Sequence, residues 1–285
     1  MLTVSDLYVY PIKSLGGIRV ESVILTDRGF QHDRRWMLVD MHNRFLTQRE
    51  LPEMALISVE ITVESLVVKH KMNNKAPLYI PFAPRGEELE VTVWDDTCPA
   101  RRVDDDVDQW FSEVLGISCK LVYMPDTTQR RVDEKYAINR EITSFADGYP
   151  LLLIGQASLD DLNKRLSAPL PMDRFRPSIV FTGGAPYQED ELKRFELSDI
   201  SFYGVKRCAR CVMVGINQET AVKYKEPLKT LSTYRQANNK IFFGQNLLYD
   251  FTGERHIAVG DVISTFCTST EDRPTMISNT PGSTT

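Results

Sequence analysis

The chain has 285 residues and a formal net charge of −5, which speaks against a nucleic-acid partner, since that role calls for a basic face. Its hydrophobic share of 42% and charged share of 26% are those of an ordinary globular protein of one or two domains. Five cysteines, an odd number in a long chain, fit reduced thiols in a cytosol and not a disulfide framework. The start, Met1-Leu2-Thr3-Val4-Ser5-Asp6, has neither a basic lead nor an apolar core, and no run is long enough to span a bilayer. The reading is a cytoplasmic protein with no membrane partner.

Residues 2–10 alternate as a half-buried strand ended by Pro11, and residues 18–25 and 36–39 continue the pattern. Further strands are expected at 55–63, 66–70 and 88–94. The first clear helix spans 106–115, with Val107, Trp110, Phe111 and Val114 on one face and acids in its first turn. Residues 124–147 are polar and charge-rich around Arg130-Arg131 and read as a linker or long surface loop, which separates a first domain, 1–123, from a second, 148–267.

The second domain opens on the apolar strand 151–154. A helix follows in which Ser158 and Asp161 have capping-box spacing and Leu159, Leu162 and Leu166 face inward. Strands are then expected at 178–182, 200–203, 211–216 and 257–264. The tail, 268–285, is rich in Ser, Thr and Pro and reads as disordered. Many short strands separated by turn signals and few helices predict a mainly β, α+β chain built as barrels or sandwiches.

Three polar constellations stand out. Tyr10-Pro11-Ile12-Lys13-Ser14-Leu15-Gly16-Gly17 links two strands through a lysine, a serine and paired glycines, a combination that lets backbone amides approach an anion; it lacks the upstream glycine of a Walker loop. Asp33-Arg34-Arg35-Trp36 places two arginines on opposite faces of a strand, so one of them faces inward and needs an anionic partner. Arg174-Phe175-Arg176-Pro177 repeats the theme. Lys13, Arg34, Arg176 and Arg210 together would form a cationic pocket, although pairing with some of the 39 acidic residues would also satisfy them.

The chemically sharpest feature is Cys208-Ala209-Arg210-Cys211, flanked by Arg207 and followed by Val212-Met213-Val214. Guanidinium charge beside a thiol favours the thiolate, which is both a nucleophile and a soft metal ligand. The apolar, β-branched run after the pair predicts a strand, not the helix start that a thioredoxin-like dithiol needs. Cys98, Cys119 and Cys267 stand alone and the four histidines show no paired spacing, so a four-ligand zinc site is not supplied. Two plain buried cysteines remain an open reading.

These segments, with Glu226-Pro227-Leu228-Lys229-Thr230-Leu231, Tyr234-Arg235, Phe243-Gly244-Gln245-Asn246 and Val259-Gly260-Asp261, resemble in order and spacing the MOSC family, named for the C-terminal domain of molybdenum-cofactor sulfurase. The resemblance covers about residues 2–266. Within the family it is similar to the mitochondrial amidoxime-reducing components and to bacterial reductases of N-hydroxylated bases. It implies an N-terminal MOSC-associated β-barrel-like domain and a C-terminal MOSC β-barrel, with molybdenum cofactor (Mo-molybdopterin) held between them.

Carried over by position, Cys211 matches the metal ligand and catalytic thiol, while Cys208 does not. Lys13, Ser14, Arg34 and Arg176 match positions that bind the pterin and its phosphate, and Asp147, Ser178, Ala209, Arg210 and Asn246 match further cofactor contacts. Ser178, Ala209 and Asn246 differ from the residues that better-known relatives carry there. The activity implied is reduction of a small N-hydroxylated substrate with electrons from a separate ferredoxin or flavoprotein. A sulfur carrier with a persulfide on Cys211, or a cofactor-binding and transfer protein, would use the same thiol. No lysine stands in a Schiff-base setting, which speaks against pyridoxal phosphate.

Overall fold

The computed structural model describes residues 1–265; Cys267 and the tail expected at 268–285 lie outside the described residues. Seven strands close into a barrel: β1 (Leu2–Val9), β2 (Leu151–Gly155), β3 (Ile179–Thr182), β4 (Arg194–Leu197), β5 (Ile200–Ala209), β6 (Lys240–Tyr249) and β7 (Val262–Thr265). Their order around the ring is β2-β3-β1-β7-β4-β5-β6, and β6 pairs back onto β2. A closed ring with an odd number of strands cannot be antiparallel everywhere. The parallel pair is β2–β3, and the helix Gln156–Asn163 supplies the crossover that such a pair requires.

β1 shows how the sequence pattern becomes register. Leu2 and Val4 face the core, the period then slips, and Leu7 and Val9 face the core again. A bulge between Val4 and Asp6 absorbs the extra residue, keeping every apolar side chain inside. The barrel interior is aromatic and aliphatic; Phe195 and Phe202, partners across β4 and β5, stack with centroids 5.4 Å apart. β1 lies between β3 and β7, so the boundary expected after residue 123 divides the chain but not the sheets.

The N-terminal half is built of open sheets. One runs Trp36–Val39, Lys120–Tyr123, Asp96–Arg102, Glu88–Val93, and the other Ile57–Ile61, Ser65–His70, Leu78–Pro81. The helix Asp105–Leu115 presses Val107, Trp110 and Phe111 into their shared core. Asp104 caps it by accepting from the Val107 amide, and Gly116, at φ 68°, ends it. No helix among the described residues is long and apolar enough to cross a membrane.

Several expectations are corrected. Residues 18–25 form two strands, Ile18–Val20 on β1 and Ser22–Thr26 on Arg255–Ala258, because the chain changes partner at Glu21. Residues 257–264 likewise split around a turn at Gly260, φ 97°. The strand expected from 55 begins at Ile57, after a 3-10 turn opened by Pro52. Asp96–Arg102 is a strand despite Pro99, because only Arg101 and Arg102 pair on that strand's second edge. Ser158 does not cap its helix, which starts two residues earlier; its hydroxyl donates to Glu189 at 2.8 Å and accepts from the Tyr187 amide. Residues 124–147 are more than a surface linker: Arg130–Arg131 pairs with Ile142–Thr143, and Arg130 and Phe145 are buried.

Candidate functional site

β1 ends at Val9, and the chain turns at once through Lys13-Ser14-Leu15-Gly16-Gly17. Gly17 is required by packing, since a side-chain carbon there would lie 2.3 Å from the ring of buried Tyr10. That ring is an organising element. The guanidinium of Arg34 lies 4.4 Å and that of Arg176 4.3 Å from its centroid, and its hydroxyl donates to the Pro177 carbonyl at 3.0 Å. Burial raises the Tyr10 phenol well above its ordinary range, so it stays a neutral donor.

Three of the basic-loop residues, Ser14 (φ 66°), Arg34 (φ 49°) and Arg176 (φ 53°), sit in the left-handed region. Non-glycine residues are held there only where surrounding contacts over-determine them, and such strain concentrates at functional sites. Arg34 pairs with buried Asp33 at 2.5 Å, and Asp33 also accepts from the Tyr10 amide. Arg35 turns the other way, onto Tyr123, the Met124 carbonyl and Asp126. The two arginines thus point apart as expected, but from a turn and not from within a strand.

Lys13 is buried and donates to the Phe145 carbonyl at 2.7 Å and to Asp147 at 2.6 Å. Burial, with Arg130 and Arg34 nearby, outweighs the attraction of Asp147 and pushes the Lys13 ammonium down to about 8. Burial works to raise the Asp147 carboxyl, but Lys13 and Arg49 overcome it and hold it well below the ordinary carboxylate range. Arg49 reaches the second carboxylate oxygen at 3.1 Å and lies over the Trp94 indole at 4.6 Å.

Cys211 does not open a strand. β5 ends at Ala209, and residues 212–215 form a 3-10 turn with Cys211 at its N-cap. Two bulges in the β5–β6 ladder, at Gly204/Lys206 and at Arg207/Ala209, re-aim this end of β5 toward the cavity. The cations expected to flank the thiols are also redistributed. Arg210 donates to Cys208 at 3.0 Å and to the Phe175 carbonyl at 2.7 Å, while Arg207 lies over Phe242. Arg49, from the N-terminal half, lines the cavity with Cys211; burial opposes its charge, but pairing with Asp147 more than offsets it.

All ten residues assigned from the sequence, Lys13, Ser14, Arg34, Asp147, Arg176, Ser178, Ala209, Arg210, Cys211 and Asn246, line one cavity of about 640 Å³ between the two halves. Ser178 accepts from the Leu152 amide and Asn246 donates to the Lys206 carbonyl, so both also brace the barrel rim. Arg174, part of the Arg174-Phe175-Arg176-Pro177 motif, lines the cavity too, as do Arg49, Trp94 and Arg130, whose one signal is a basic or aromatic residue in a polar segment. Ten basic and five acidic side chains surround the space, in a chain whose net charge is −5. Such an inversion focuses positive potential on one anionic ligand. Among the described residues no three His, Cys, Asp or Glu side chains come together as a metal cage.

Residues 1–118 match the model of the MOSC N-terminal beta barrel domain, and residues 141–264 that of the MOSC domain. The chain is 31% identical over 244 residues to mouse mitochondrial amidoxime-reducing component 1, covering 82% of this chain and 71% of that protein. It belongs to the MOSC family. The human mitochondrial amidoxime-reducing component 1 is 28% identical over 278 residues, covering 92% of this MOSC chain and 82% of its own length. Rice molybdenum cofactor sulfurase is 32% identical over 284 residues, which is 90% of this chain but 34% of the sulfurase. The MOSC chain therefore spans about a third of the plant sulfurases that it matches. Family membership ties its function to the molybdenum cofactor.

The cavity's own donors fit such a group. Arg176 Nη2, Arg174 Nη2 and Arg210 Nε are buried with no hydrogen-bond partner among the described residues, and all three belong to residues lining the space. Buried donors of this kind match the oxygens of a phosphate. Cys211 and Cys208 supply the soft sulfur donors at the same cavity.

Proposed function

We propose that this MOSC protein is a molybdenum-cofactor-dependent reductase of small N-hydroxylated compounds, amidoximes or N-hydroxylated bases, and that it receives electrons from a separate carrier protein. The observation that carries the proposal is the convergence of Lys13, Arg34, Arg176 and Arg210 on one cavity with Cys211 at its edge. A bare thiol carrier has no use for four cations around a single anion site. The names of the mouse and human relatives supply the substrate class.

When bound, the cofactor supplies two-electron redox chemistry at molybdenum. In this reading Arg176 and Arg210 neutralise the phosphate with their unpartnered nitrogens, and Arg34 is steadied for it by Asp33. Lys13 and Asp147 orient the pterin from the N-terminal side, and Cys211 provides the thiolate ligand. Breaking the N–O bond consumes two electrons and two protons and releases water with the amine or amidine. The four cysteines among the described residues form no disulfide, which fits our proposal of a cytoplasmic setting.

The test is molybdenum per chain in protein purified from a cofactor-competent host, followed by dithionite-driven reduction of benzamidoxime. Near-stoichiometric metal with turnover supports the reductase. Metal without turnover points to a cofactor-binding or transfer protein. The plant sulfurase relatives favour a second reading, in which Cys211 carries a persulfide; absence of molybdenum together with a persulfide on Cys211 would establish it.

A further inference from the structure

One face beside the thiol differs from the rest of the acidic surface. After Cys211 the chain makes its 3-10 turn and returns through residues 222–225, Val-Lys-Tyr-Lys. The return is held by Tyr224 donating to the Gly215 carbonyl, by Asn217 donating to the Val222 carbonyl and by the bridge of Ile216 to Lys223. Three large apolar side chains stand out on this hairpin, with Val212 at 60%, Val222 at 48% and Tyr224 at 55% exposure. All three belong to the hairpin that follows Cys211 and that the Ile216–Lys223 bridge closes, so they stand beside the thiol.

The cluster has a basic rim. Lys225 and Lys229 are both exposed and one helical turn apart, the Lys229 amide donating to the Lys225 carbonyl, and neither has an ion-pair partner among the described residues. The nearby acids are occupied: Glu219 by Lys71 at 2.7 Å, and Glu226 by the Thr230 amide at 3.0 Å. Lys223 runs back to the cavity, donating to the carbonyl of Arg49, which lines the cavity with Cys211. The hairpin is therefore tied to the cavity wall through Lys223 and Arg49.

We propose that this face docks an acidic one-electron carrier protein of the ferredoxin or flavodoxin class. The inference rests on the reductase reading, which needs two electrons per turnover. The carrier is oxidised twice, one electron each time, while the substrate's N–O bond takes both electrons and two protons. A small apolar centre with an unpaired cationic rim is the geometry of a weak, fast-exchanging complex, in which steering by charge matters more than buried area. Against an overall charge of −5, the unpaired Lys225 and Lys229 and the cations of the neighbouring cavity give an acidic partner its favourable approach on this side.

The experiment measures binding of an oxidised plant-type [2Fe–2S] ferredoxin, and of a flavodoxin, to the full chain by calorimetry at low and high salt. Lys225→Glu/Lys229→Glu is compared with Lys164→Glu/Lys240→Glu, which makes the same charge change on other exposed lysines, and with Val212→Asp. We expect wild-type binding to one carrier that weakens with salt. The patch double variant and Val212→Asp should bind about tenfold or more weakly, with the control double variant near wild type. No binding of either carrier at low salt, equal loss in both double variants, or binding to phosphatidylserine vesicles instead would overturn the proposal. Dithionite-driven turnover, which needs no docking, reports separately on the reductase reading.

Discussion

The barrel wall and the seam between the two halves are built by opposite rules. Inside the barrel, Phe195, Phe202 and Leu247 are completely buried and the strands satisfy one another's backbone. At the seam, Lys13, Asp33 and Arg174 are just as inaccessible but charged, and Arg34 and Arg176 crowd one tyrosine ring. Apolar burial stabilises the barrel by removing area from water, whereas buried cations contribute little net stability. What the seam gains is preorganisation: donors in place before any anion arrives. The rigid barrel holds the seam residues in strained backbone at Ser14, Arg34 and Arg176.

Substitutions on each side should separate the two. Cys211→Ala should reduce molybdenum per chain to less than about a tenth of wild type, since even supporting residues of metal sites change affinity 10–100-fold. Cys208→Ala, which removes the acceptor of an Arg210 hydrogen bond and a weak bond to the Ala209 carbonyl, should keep most of it. Equal loss in both, by metal analysis, would end that division of labour. In the barrel, Phe202→Ala should cost about 3–5 kcal/mol of stability, read from urea unfolding. Arg176→Met should cost less, about 1–2 kcal/mol, because it gives up a hydrogen bond to the Leu15 carbonyl and a contact with the Tyr10 ring but no ion pair among the described residues. It should nonetheless lower cofactor retention roughly tenfold or more. A large stability loss in Arg176→Met would show the seam to be structural.

A smaller effect concerns pH. The Lys13 ammonium titrates at about 8 when folded and at 10.5 when free. Between these values the unfolded chain binds more protons, so this group's contribution to stability rises with pH across that window. Lys13→Met should flatten the rise measured by unfolding from pH 8 to 10.5, relative to wild type; an unchanged slope would contradict the burial of the lysine. The smallest effect separates the thiols. Burial pushes Cys98 and Cys119 up to about 11, so iodoacetamide at neutral pH should label Cys208 and Cys211 well before either.

Much of the site was legible one motif at a time. The Lys13-Ser14 loop, Arg34, Arg176 and the Cys211 motif each announced charge or sulfur in an unusual local setting, and all of them line the cavity. The strand expected after Cys211 failed because β-branched residues favour strands only where a partner is available, and at Ala209 β5 leaves its ladder. Arg49 and Arg130 gave no signal, since a basic residue in a polar segment looks the same whether it is solvated or aimed inward. Residues 124–147 read as a linker for the same reason: polarity marks exposure only when the fold offers the charge no partners, and here Arg130 is buried against the Ser144 and Ala146 carbonyls and pairs with Asp96 at 2.8 Å.

The sequence by itself determined the β-rich class, the amphipathic helix near residue 110, the basic loops and the Cys208–Cys211 pair, because each rests on periodicity or on residue types carried within a few positions. Tertiary structure alone decided that β1 completes the barrel of the other half, that one parallel pair lets seven strands close, and that Arg49 lines the same cavity as Cys211. Those outcomes depend on pairings across 100 residues or more, on ring closure and on which charges burial forces together, and no local pattern encodes them.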